Sequence, residues 1–249
     1  MKYYAIRGTS DRKILGHYPQ VKNIIYNCDV WDNPLFIGQF HYEKINIIPI
    51  VANPVLFSKS KLTDLINTMS AIGFSSKELI SGKLKSILEN YITQVQFFQC
   101  SIFKDEAEHS DYWLLNIYKF NHEYIDFENS IIYYEKNYRN PYTQEFSHSE
   151  KGELQVKNLQ EFMMYIEQAK TTIDSPIDLI EIKKLALKQN IQDDFFALKY
   201  GSGDTYFISE KLKKEIEDAG CTGLEFKPAE LSLTEWLHGG EREKIYGKA

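Results

Sequence analysis

The sequence predicts an α+β fold of mixed sheets with packed helices, and it suggests two related strand–helix–strand units. Three observations carry this expectation. First, ISGKLKSILENYITQVQFF at 80–98 and ISEKLKKEIEDAGCTGLEF at 208–226 share Ile80/Ile208, Ser81/Ser209, Lys83/Lys211, Leu84/Leu212, Lys85/Lys213 and Phe98/Phe226. In each, a short apolar strand ends at a serine able to cap the free N–H groups of a helix, and an aromatic strand follows. Second, apolar residues recur at helical spacing over 61–72 and 156–173. Third, aromatic and β-branched residues gather in short runs bounded by turn formers, as strands do.

Taken in order, KYYAI at 2–6 predicts a first strand, stopped by Gly8-Thr9-Ser10-Asp11. Residues 35–51 mix aromatic and β-branched side chains and predict strands, with Pro49 and Pro54 marking edges or turns. Leu62, Leu65, Ile66, Met69 and Ile72 predict a helix closed by Gly73. Val156, Leu159, Phe162, Met163, Ile166 and Ile173 predict another. Ser175-Pro176 resembles an N-cap with proline at the first helical position, and 177–189 fits helix or strand. FFALKY, then Gly201-Ser202-Gly203-Asp204, then TYFIS predict a tight hairpin rather than a phosphate loop, because such loops run from strand into helix. Residues 1–103 form an N-terminal α+β region with the first unit, and 104–249 a C-terminal α+β region with the second. One continuous domain fits the same pattern.

Charge narrows the function. The formal net charge is −6, whereas a nucleic-acid binder normally shows a basic face. The balance is uneven: residues 1–103 hold 11 basic and 7 acidic groups, 104–150 hold 4 and 10, and 151–249 hold 14 and 18. The middle segment therefore reads as a solvated face or as a lure for a basic partner. Cys28, Cys100 and Cys221 are odd in number and far apart, which argues against a disulfide framework and a cysteine zinc site. MKYYAIRGTSDRK lacks a signal-peptide apolar run, and no segment approaches a membrane span. The expectation is a cytoplasmic protein that binds no membrane.

No catalytic motif stands out. No two of His17, His41, His109, His122, His148 and His238 have metal-site spacing, and no G-x-S-x-G elbow is present. Asp193-Asp194 reads as an exposed turn, and Glu215, Glu217 and Asp218 as a solvated face. Neither a cofactor nor a metal is expected.

The segment YWLLNIYKFNHEYIDFENS at 112–130 resembles bacterial immunity proteins of polymorphic-toxin systems through Tyr112, Leu114, Leu115, Asn116, Ile125, Asp126, Glu128 and Ser130. Residues 195–228 resemble the same family's closing block through Phe207, Ile208, Ser209, Lys211, Leu212, Gly220, Thr222, Gly223 and Phe226. The resemblance implies a stoichiometric, non-enzymatic inhibitor whose partner is a cognate toxin. A small hydrolase or transferase with a site assembled only in three dimensions, or a general interaction module, are the alternatives. For toxin contact the sequence nominates Asp105, Glu106, Glu108 and Asp111 as phosphate-like charge, with Tyr133, Tyr134 and Tyr138 as anchors beside them.

Overall fold

The computed structural model describes residues 1–68, 77–92, 94–139, 143, 145–171, 177–237 and 239–248. The chain runs β1 (Tyr3–Gly8), α1 (Arg12–Leu15), β2 (Val21–Ile25), β3 (Asn53–Leu56), β4 (Leu65–Ile66), β5 (Lys77–Ser81), α2 (Gly82–Leu88), β6 (Val95–Gln99), β7 (Ile102–Lys104), β8 (Ala107–His109), β9 (Tyr112–Ile117), β10 (Ile131–Arg139), β11 (Phe146–Leu154), α3 (Leu159–Thr171), β12 (Ile177–Lys184), β13 (Phe195–Gly201), β14 (Asp204–Ser209), α4 (Glu210–Asp218), β15 (Leu224–Pro228), α5 (Leu233–Leu237) and α6 (Glu241–Tyr246). The strands form sheets ordered β4-β5-β9-β6, β13-β14-β1-β15, β2-β3-β7-β8 and β11-β10-β12. The fold is α+β, as the sequence predicts. No helix among the described residues is long and apolar enough to cross a membrane.

The first two sheets repeat one design. Ser81 ends β5 and caps α2 by accepting from the Leu84 amide at 3.2 Å; Ser209 ends β14 and caps α4 through Leu212 at the same distance. Each helix leads to a strand two places away, leaving room for a central antiparallel strand from elsewhere in the chain. That strand is β9 in the first unit and β1 in the second. Tyr112 lies opposite Ser81 and Tyr3 opposite Ser209. Both four-stranded sheets thus draw strands from either side of residue 103.

The likeness extends beyond the shared sequence. The Ser81 amide donates to the Asp64 carbonyl and the Ser209 amide to the Asp194 carbonyl, both at 2.9 Å. Tyr112 and Tyr3 donate their hydroxyls to the residue before each aspartate, at Thr63 O (3.1 Å) and Asp193 O (3.2 Å). Lys85 lies over the rings of Trp113 and Phe97, as Lys213 lies over Tyr4 and Phe226. Register settles one correspondence differently from the sequence. Phe97 pairs with Leu115 as Phe226 pairs with Ile6, so Phe97, not Phe98, is the counterpart of Phe226. The whole stretch from Ser81 to β6 is one residue shorter than that from Ser209 to β15, which slips a gapless alignment.

Packing explains why both units form. Leu84 and Leu88 of α2 meet Leu212 and Ile216 of α4 in one core with Ile80, Leu115, Ile208 and Phe226. Strand alternation sends neighbouring side chains to other cores. Leu79 and Leu114 pack with Phe36, Ile37 and Ile102, and Phe196 and Phe207 pack with Phe127, Phe162 and Ile182.

Several expectations are corrected. The run 61–72 is not a helix where described: Leu65–Ile66 is strand β4, paired with β5. Leu65 and Ile66 point into different cores, so two adjacent apolar residues imitate helical spacing. Met69, Ile72 and Gly73 lie outside the described residues. Segment 35–51 gives a short 3-10 turn at Ile37–Gln39 and a single bridge, Phe36 to Ile50, instead of strands. Pro54 sits within the inner strand β3, which is tolerated because β3 meets β7 only at Val55↔Phe103. Helix α3 forms within the predicted 156–173 but starts at Leu159, with Val156 buried ahead of it; Ile173 and Ser175-Pro176 lie outside the described residues. The open segment 177–189 begins as strand β12. The hairpin forms as predicted, with Ser202 (φ 59°) and Gly203 (φ 81°) at its tip.

Candidate functional site

The four nominated carboxylates lie along the β7–β8 hairpin and its continuation into β9. Asp105 and Glu106 form the two-residue tip, with φ of 48° and 67°, the left-handed pair that a tight hairpin requires. A hydrogen bond from Ser58, then Lys104 at 3.2 Å, holds the Asp105 carboxyl below its ordinary range. Glu108 accepts from the Ser101 hydroxyl at 2.6 Å. Asp111 is exposed beside the start of α2, its carbonyl taking the Gly82 amide at 2.9 Å.

The nominated tyrosines sit on another sheet. Tyr134 and Tyr138 share a face of β10 and both donate to Glu150 of β11, at 2.9 and 3.1 Å. That bond raises both phenol pKa values and lowers the carboxyl of Glu150. Tyr138 also stacks on His148 at 4.5 Å. Tyr133 is adjacent in sequence and so points to the opposite face, where Lys183 lies 5.6 Å from its ring. The acids and tyrosines therefore belong to separate sheets, with no strand pairing between them among the described residues.

Asp193 and Asp194 are more than an exposed turn. Asp193 accepts from the Tyr124 hydroxyl at 2.6 Å, and Asp194 accepts from Ser209 at 2.5 Å and Lys211 at 3.1 Å. Glu215, read from sequence as solvated, takes the Tyr91 hydroxyl.

Burial pushes the Cys100 thiol up to about 12 and the Cys221 thiol up to about 11, so neither is a ready nucleophile at neutral pH. Among the described residues, no three His, Cys, Asp or Glu side chains gather as a metal site would require. A cavity of about 610 Å³ is lined by Tyr3, Ile131, Leu185 and Leu187 with Lys2 and Lys188, and among the described residues no Ser, Cys or His lines it.

Sequence reasoning missed an exposed apolar surface between β2 and β3. Tyr26, Trp31, Leu35, Ile47 and Ile48 face outward there, Trp31 at 77% and Ile48 at 92% exposure. Its composition imitates buried strands, so nothing in the residue pattern alone marked it as surface.

The model of the Immunity protein family (Imm11) matches residues 3–230. The chain belongs to the Imm11 immunity protein family. No curated protein matches it. The Imm11 match runs from β1 through β15 and so takes in both repeated units. Within this Imm11 chain, the residues that carried the sequence resemblance mostly build the fold. Asp126 accepts from the Asn129 amide at 3.2 Å and Ser130 donates to the Asp126 carbonyl at 2.7 Å, closing the turn before β10. Gly223, at φ 87°, lies against the Leu65 carbonyl, where any side chain would collide.

Proposed function

We propose that this chain binds a cognate bacterial toxin and neutralises it by contact, without catalysis, as the immunity component of a polymorphic-toxin system acting in the cytoplasm. The Imm11 match across residues 3–230 is the observation that carries this reading. An inhibitor of this kind needs an exposed surface complementary to the toxin, not an assembled set of reacting groups. Asp105, Glu106, Glu108 and Asp111 supply one such surface, an acidic edge that would steer a basic toxin. Tyr134 and Tyr138, which share a face, are proposed as a separate aromatic contact whose rings the Glu150 bonds fix in advance, with Tyr133 available to a partner on the opposite face. Co-expression with the toxin domain encoded beside this chain tests the reading: growth is rescued and the two proteins purify together. Failure of both overturns it.

A further inference from the structure

The loop between β2 and β3 is ordered from within. Phe36, Ile37, Ile45 and Ala52 fill the core beneath it. Polar side chains from the neighbouring sheet hold its backbone. Lys77 donates to the Phe40 carbonyl and Asn116 to Glu43 O at 3.0 Å, while Gln96 binds both backbone groups of Ile45 at 2.8 and 2.7 Å. Within the loop, Ile50 N donates to Leu35 O at 2.8 Å and Ile37 N to Ile50 O at 2.9 Å.

These contacts account for the loop's shape without Trp31, Leu35, Ile47 or Ile48. Trp31 and Ile48 nevertheless stay largely in water and Leu35 and Ile47 in part, whereas Tyr26 also meets Phe36 of that core edge-on, ring centroids 6.2 Å apart. Several large apolar side chains exposed on one ordered loop are what a contact surface offers, and Trp and Tyr are enriched among the residues that carry binding energy there. The Asp29 carboxylate accepts the Trp31 and Asp32 amides at 2.9 and 3.2 Å, which fixes the backbone that presents the indole. The loop itself, residues 26–52, carries Asp29, Asp32 and Glu43 against Lys44 and so is acidic on balance.

We propose that this loop is a docking surface for the toxin polypeptide, with Trp31 and Ile48 entering an apolar face bordered by basic residues. The assignment rests on the immunity reading above. It is distinct from the acidic hairpin tip. Because β3 runs parallel to β7, the loop enters its sheet at the Asn53 end, while Asp105 and Glu106 follow Lys104 at the other.

The test uses the full chain and the purified toxin domain encoded beside it. Trp31→Ser with Ile48→Ser removes two exposed side chains, so the circular dichroism spectrum and melting temperature stay at parental values. Binding is expected to weaken at least about thirtyfold, as loss of a hot spot does, and growth protection falls with it. Because the contact is apolar at its centre, the loss persists at high salt. A folded double variant that binds and protects like the parent overturns the assignment. So does a parent that is dimeric and a variant that is monomeric with toxin binding unchanged, because the patch is then an interface between copies. A parent that neither binds nor protects overturns the immunity reading itself, and this assignment with it.

Discussion

Ser209 and Asp194 hold each other twice: the Ser209 amide donates to the Asp194 carbonyl at 2.9 Å and its hydroxyl to Asp194 Oδ1 at 2.5 Å. Ser81 and Asp64 do the same at 2.9 and 2.6 Å. Each serine thereby fixes a helix start to the strand that follows its aspartate. Ser81→Ala and Ser209→Ala should each cost about 1 kcal/mol for the lost cap, and a double-mutant cycle between Ser209 and Asp194 should show coupling. Denaturant unfolding checks both. Additive effects would mean the pair does not act as a unit.

Asp204 sits between two cations, Arg7 and the fully buried Lys227, whose ammonium lies 3.1 Å away. Burial lowers the Lys227 pKa and Asp204 opposes that shift. Asp204→Asn leaves both cations without their carboxylate and should cost about 3–5 kcal/mol. Lys227→Met removes a buried charge while Arg7 still pairs with Asp204, so it should cost less. Equal losses in urea unfolding would contradict this arrangement.

The sequence made the helix starts and the β13–β14 hairpin legible because both depend on local chemistry: a serine after an apolar strand, and a glycine where φ is positive. It did not reveal Asp64 and Asp194, which act on serines 17 and 15 positions away through sheet pairing. Leu65 and Ile66 misled because strands buried on both faces lose their alternation. Residues 35–51 misled because four of their ten apolar side chains, Leu35, Tyr42, Ile47 and Ile48, face water, a fact of tertiary packing. For the same reason the apolar loop patch was invisible, while the acidic segment was plain from charge alone.

Lys77 is buried, and that burial draws its ammonium down to about 8 against the opposing pull of Glu43. Its folded pKa is below its unfolded value, so the unfolded chain binds more protons between about pH 8 and pH 10.5. The destabilisation is fully present below that window and fades as pH rises through it. Relative to Lys77→Met, the parent should gain about 2 kcal/mol between pH 7.5 and pH 9.5. Comparing the two by urea unfolding cancels the tyrosines common to both. A pH-independent difference would show that Lys77 is not desolvated.

Neutralising Asp105, Glu106, Glu108 and Asp111 together should slow toxin association about tenfold at low salt and flatten its ionic-strength dependence. Dissociation should change little. Stopped-flow association across a salt series reads both quantities. An association rate and salt slope equal to the parent's would exclude these carboxylates from the encounter.

Titration of toxin activity with the purified chain tests the central claim, neutralisation by stoichiometric contact, most directly. The account predicts that activity falls linearly and reaches zero near one equivalent, with a stable one-to-one complex recovered at the end point. A small fraction of an equivalent that silences all the toxin over time, or protection with no complex formed, would contradict it.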